Sequence, residues 1–162
     1  MTSIMNAQVA INKANVTNSS VSLEFSANEN KGLILPYVID KRAITEKGTI
    51  IFDTADNKVK YLKDTNTWFD LSVDTTGTAD LSIQGNDKTE QPGAKVSITT
   101  TAGDNPILGI LVLEDINKAM ILPKVASPHL TIINPSAGMI VYDTQARQVA
   151  VYNGTVWSFW EP

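Results

Sequence analysis

The stretch Pro135–Trp157, PSAGMIVYDTQARQVAVYNGTVW, decides how the rest of the chain is read. Ile140-Val141-Tyr142 and Val149-Ala150-Val151-Tyr152 are rich in β-branched and aromatic residues, which fit a pleated, half-buried surface. Between them, Asp143-Thr144 supplies the short side-chain oxygens that bond to nearby backbone amides in turns. Asn153-Gly154 is a strong type I′ turn signal. A last short strand follows, Trp157-Ser158-Phe159-Trp160. The spacing predicts a β-hairpin closed at its end by aromatic side chains.

Working outward, the same unit occurs twice. Ala7–Ile11 lies over Ala94–Ile98 at a shift of 87, which also carries Val21, Leu23 and Phe25 onto Leu108, Ile110 and Val112. It then carries Asn30-Lys31-Gly32-Leu33-Ile34-Leu35-Pro36 onto Asn117-Lys118-Ala119-Met120-Ile121-Leu122-Pro123. After a longer linker the shift becomes 90, and Gly48–Thr54 lies over Gly138–Thr144. Trp68 and Trp157 close the two copies, and Trp160 has no counterpart.

Each copy should therefore hold a short strand (Val9–Ile11, Val96–Ile98) and then an alternating strand with Val21, Leu23 and Phe25, or Leu108, Ile110 and Val112, on one buried face. Leu111 and Leu113 would fill the other face, so that the second alternating strand is covered on both sides. An apolar run stopped by Pro36 or Pro123 comes next, because proline cannot donate to a ladder. Asp40–Ile44 suits one helical turn with Asp40 as N-cap; its counterpart, Ser127–Pro135, holds two prolines and should be extended or irregular. The chain divides into a leader (1–8), a first β repeat (9–71), a connector with an edge strand at Ala79–Gln84 (72–93) and a second β repeat (94–162). The fold class is mainly β, two tandem copies of a small antiparallel unit ending in an aromatic-capped hairpin, with little or no helix.

Composition narrows the function. With 43% hydrophobic and 19% charged residues, the 162-residue chain is globular and long enough to bury a core. A net charge of -4 without a Lys/Arg cluster argues against nucleic acid. The absence of cysteine removes disulfides, thiolate chemistry and Cys-ligated zinc together. No apolar run is long enough for a membrane-spanning helix, and no membrane insertion is expected. The start, MTSIMNAQVA, lacks a basic n-region and a full apolar h-region. It reads either as the tail of a signal peptide cleaved after Ala7 or as an ordinary strand leader.

Candidate chemistry is thin. The single histidine, His129, has no Cys, Asp or Glu beside it, and a lone histidine builds neither a metal site nor a triad. Asp53-Thr54 and Asp143-Thr144 recur, but a calcium loop needs more oxygens at short spacing; turn capping explains both. Phosphate loops of either glycine-rich kind are absent. Hence no catalytic residue, no cofactor and no metal are expected. The aromatics are the remaining candidates. Tyr152, Trp157 and Trp160 could form a stacking or association surface, with Trp160 the most exposed; against this, each hairpin tryptophan also serves as a plug for its own hairpin or a neighbouring chain.

Gly138–Thr144, a turn, a valine-rich strand and Tyr152-Asn153-Gly154-Thr155-x-Trp157 together resemble a repeat common in exported surface proteins of Bacteroidetes-type bacteria, and repeats in phage tail and head fibres. Leu23-Glu24-Phe25 followed by Asn30–Pro36 is the companion of that hairpin, and Asn6-Ala7-Gln8 is similar to a signal-peptide end in the same bacteria. The first copy departs from the pattern, with Lys63-Asp64 in place of Asn-Gly. The resemblance implies a non-enzymatic structural or assembly module of a secreted, cell-surface or fibre-like protein. It would be a homo-oligomer, a trimer among the options, located at the cell surface or outside the cell, or in a virion fibre. The alternative is a carbohydrate-binding adhesin that engages a cell-surface glycan through Tyr152, Trp157 and Trp160.

Overall fold

The computed structural model describes residues 7–82, 91, 93–100 and 106–161. The first copy folds into β1 (Val9–Ile11), β2 (Val21–Phe25), β3 (Leu33–Ile34), β4 (Tyr37–Val38), β5 (Ile50–Asp53), β6 (Lys58–Asp64) and β7 (Thr67–Asp70). The second repeats that order as β8 (Val96–Ile98), β9 (Leu111–Leu113), β10 (Ala119–Ile121), β11 (Lys124–Val125), the one-turn helix α1 (Pro128–Thr131), β12 (Met139–Asp143), β13 (Gln148–Tyr152) and β14 (Trp157–Trp160). The protein is mainly β, as its alternating and β-branched runs require.

Both hairpins form where the local chemistry places them. β5 and β6 pair antiparallel from Asp53↔Lys58 to Ile50↔Tyr61; β12 and β13 do so from Asp143↔Gln148 to Met139↔Tyr152. Asp53 Oδ1 accepts from the Ala55 amide at 3.0 Å, and Asp143 Oδ1 from Gln145 (2.9 Å) and Ala146 (3.2 Å), so both aspartates cap their turns. Each turn ends in a left-handed residue, Asn57 (φ 55°) and Arg147 (φ 60°). Asparagine tolerates that region and arginine does not. Arg147→Asn is therefore expected to stabilise the protein by about 0.5–1 kcal/mol, which a thermal melt would register as a rise of a few degrees.

β7 and β14 extend the two hairpins antiparallel to β6 and β13, but four further pairings are parallel, which no local pattern announced. β1 runs beside β2, β4 beside β5, β8 beside β9 and β11 beside β12. Pro36 and Pro123 end one short strand and launch the next. Their carbonyls accept from the Phe52 and Tyr142 amides (3.0 and 2.9 Å), so the chain changes sheet at each proline. The copies also exchange strands. β3 leaves the first copy and pairs antiparallel with β12 of the second, whereas β10 of the second pairs in parallel with β2 of the first. A shared core follows from this exchange: Phe52, Val59 and Leu35 pack with Ala137, Ile140 and Val151. Behind the second hairpin, Val125, Met139, Val141 and Ala150 form a smaller cluster.

Several expectations are corrected. The segment from Ser127 holds α1, because Pro128 sits at its first turn, where a missing N–H costs nothing and the fixed φ helps. Asp40–Ile44 makes a hydrogen-bonded turn (Ile44 N to Lys41 O, 3.1 Å) without becoming a helix. Leu108 and Ile110 are 68% and 64% exposed and Leu111 is exposed as well, since β9 has no neighbour besides β8 among the described residues. Ala79–Ser82 form no strand, and Ile83 and Gln84 lie outside the described residues, as do residues 1–6 of the leader. Asn153 lacks the positive φ that a type I′ turn needs; only Gly154 has it (φ 98°). The Asn153 side chain instead accepts from the Thr155 and Val156 amides at 2.9 and 2.7 Å, holding a four-residue loop.

One buried carboxylate lies on β2. Burial alone would raise the Glu24 carboxyl, but Lys13 Nζ (2.6 Å) and the Thr17 amide and hydroxyl (both 2.6 Å) stabilise the anion and hold it at about 2. A carboxyl lowered in the folded state stabilises the protein above its unfolded value, near 4.5, and loses that contribution as pH falls towards 2. The melting temperature should therefore fall between about pH 4.5 and 2. Glu24→Gln should flatten that part of the profile; an unchanged slope would place the acid sensitivity elsewhere.

Candidate assembly surface

Period-two alternation sorts the aromatic candidates by face. Tyr152 and Trp157 oppose each other across β13 and β14, with ring centroids 5.1 Å apart, and pack on the cluster of Val125, Met139 and Val141. Trp160 is three residues beyond Trp157, an odd step, and so faces the other side of the sheet. The three residues do not line one platform. Trp160 is also not the exposed aromatic of the group. It is half-buried, its Nε1–H donates to Leu71 O at 2.6 Å, and its ring meets the edge of Phe69 at 5.3 Å. Phe159 is the exposed one, flanked by His129 at 5.6 Å. Trp160 does have a counterpart in space. It opposes Val149 as Leu71, whose amide bonds to Val59 O (2.8 Å), opposes Val59. The shift of 89 that carries Trp68 onto Trp157 also carries Leu71 onto Trp160.

The outer faces of the two hairpins differ in chemistry. On the first, Lys60 Nζ reaches Asp56 (2.6 Å) and Asp53 (3.0 Å), Lys41 reaches Asp53 (2.7 Å) and Lys58 reaches Asp70 (2.7 Å). Burial pushes the Asp53 carboxyl up, and the hydrogen bonds from Lys41, Ala55 and Lys60 more than reverse it. Every acid in this cluster is paired, so none is poised as a general base. On the second hairpin Lys60 is replaced by Ala150 and Asp70 by Phe159, and the face is apolar. Among the described residues no group of three or more His, Cys, Asp and Glu could hold a metal.

An open groove of about 570 Å³ lies between the copies. Ile50, Tyr61 and Phe69 of the first hairpin form one wall; Met120, Leu122 and Trp160 of the second copy form another. Its lining is mostly apolar: Tyr61 and Trp160 alone carry polar side-chain atoms, and the Trp160 N–H is already bonded to Leu71 O, so few groups are left to orient a small ligand. Apolar side chains around such an opening suit a protein partner.

Residues 97–161 match the family model of a phage tail like trimerisation region. The match spans the second copy, from β8 to just past β14, and includes three of the residues that line the groove's second wall. It agrees with the fibre-protein side of the resemblance drawn from the sequence, and with a structural, self-associating module. Neither the curated proteins nor the solved structures contain a match to the chain. No helix among the described residues is long and apolar enough to cross a membrane.

Proposed function

We propose that the chain is a non-enzymatic assembly module of a fibre-like protein, and that it associates with two further copies of itself through the apolar surface left between its β-hairpins. The observation that carries this reading is the coincidence of two features. The segment similar to a trimerisation region, residues 97–161, is the one that presents Met120, Leu122 and Trp160 to an unfilled apolar groove. Burying such side chains is worth about 1.5–3 kcal/mol each, enough for a few of them to hold subunits together. In this reading residues 9–71 and 94–162 are the two repeats, 72–93 connects them, and the protein works outside the cell, in a virion fibre or at a cell surface. Trp160 is assigned to the interface, and Tyr152 and Trp157 support it from the opposite face.

Light scattering on the purified chain tests the reading. A mass three times 17.6 kDa is expected. A monomer that persists at high concentration would overturn it.

A further inference from the structure

The two copies are alike in sequence but not in what covers them, and the difference shows how chains join. Inside one chain, a complete junction is built between the top of the first copy and the base of the second. Tyr37 donates its hydroxyl to Ala137 O at 2.9 Å. A Cβ on Gly138 would lie 3.0 Å from Phe52 Cβ and 3.3 Å from Tyr37 Cε1. β3 completes the edge of β12 with Ile34↔Met139 and Leu33↔Ile140, and β10 completes the edge of β2.

Each element of that junction has a repeat counterpart that is left open. Gly48, the counterpart of Gly138, shares its left-handed backbone (φ 86° and 74°), yet a Cβ there would meet nothing within 4 Å. Ile140 and Val151 are buried, but their counterparts Ile50 and Tyr61 are only half-buried. No strand among the described residues pairs with β5 at Ile50 on the edge where β3 pairs with β12. On the second copy, Met120 and Leu122, counterparts of Leu33 and Leu35, line the groove. Among the described residues the far edge of β9 is unpaired, beside exposed Leu108 and Ile110, whereas its counterpart β2 is flanked on both sides.

We infer that a second copy of this chain docks head to tail by repeating the internal junction between chains. β10 of one chain pairs antiparallel with β5 of the next, placing Ile121 opposite Thr49 and Met120 opposite Ile50, while β3 of that next chain adds to the open edge of β9. Lys124, the exposed counterpart of Tyr37, then carries its ammonium towards the Lys47 carbonyl, counterpart of that of Ala137. A junction of this kind joins two different surfaces, so it forms a closed ring only if the rotation per chain closes. Three chains, the number taken from the proposed function on which this inference rests, give a ring of six quasi-equivalent units with the apolar grooves turned inward.

The cysteine-free chain permits a direct test by disulfide cross-linking. Directly opposed residues on antiparallel strands have Cα atoms about 4.5–5.5 Å apart, within disulfide reach. Co-expressed Thr49→Cys and Ile121→Cys chains are expected to give a covalent dimer on a non-reducing gel, and neither variant alone should cross-link. The double variant should give a covalent trimer. A trimer in light scattering with no mixed cross-link, or with cross-links from one variant alone, would overturn the head-to-tail junction and leave the trimer standing. A monomer would overturn both. Met120→Asp should lose the trimer while keeping the β-type circular dichroism spectrum of the parent; a trimer that survives it would also overturn the junction.

Discussion

Replacing Gly154 with alanine is expected to lower the melting temperature by roughly 6–20 °C, the equivalent of about 3–5 kcal/mol in a chain of this size. Gly154 takes φ 98°, where a Cβ alone costs about 1–2 kcal/mol. The larger effect is spatial. The added Cβ would fall 1.7 Å from Thr78 O, a backbone atom that moves only if the connector moves. The connector is bound there: Thr78 N donates to Asn153 O (3.1 Å), Thr155 Oγ1 to Thr76 O (2.9 Å) and Val73 N to Ser158 Oγ (3.0 Å). Asn153 itself is fully buried beneath it. Gly93→Ala, where a Cβ meets nothing within 4 Å and φ is not in the left-handed region, is the control and should be near neutral. Equal melting temperatures for the two variants would mean that the connector does not rest on this turn.

Phe52→Ala should cost about 3–5 kcal/mol and should destabilise both copies together. Phe52 is completely buried, meets the tilted Tyr37 ring at 5.1 Å and packs with Val59 of its own copy and with Ile140 and Val151 of the other. Removing its ring leaves a cavity shared by the two copies, so neither can keep its core intact. Tryptophan fluorescence can follow this, because Trp157 and Trp160 lie in the second copy and Trp68 in the first. One transition, shifted to lower denaturant, is expected. Two transitions, with the second copy unaffected, would show that the copies fold independently.

The hairpins were legible because every signal that makes them is local. Asp53 and Asp143 cap amides two or three residues away, and β-branched and aromatic runs flank them. The second alternating strand misled because alternation predicts which side chains share a face, not whether anything covers that face. Leu108 and Ile110 keep the pattern and remain exposed. The two-residue strands β4 and β11 were missed because Tyr37-Val38 and Lys124-Val125 are too short to show any period. The separation of Tyr152 and Trp157 from Trp160 was within reach, since 157 and 160 differ by an odd number along one strand.

The amino-acid sequence by itself determined that Pro135–Trp157 is a hairpin, that it repeats Gly48–Trp68, and that the chain is β-rich. These depend on side-chain chemistry within a few residues. Only the tertiary structure decided that β3 crosses to the second copy and β10 to the first, and that Gly138 is covered while Gly48 is not. The reason is that a ladder hydrogen bond joins backbone groups every residue carries. A strand's partner is therefore chosen by how apolar faces from distant parts of the chain can be buried together, and no single stretch of sequence records that choice.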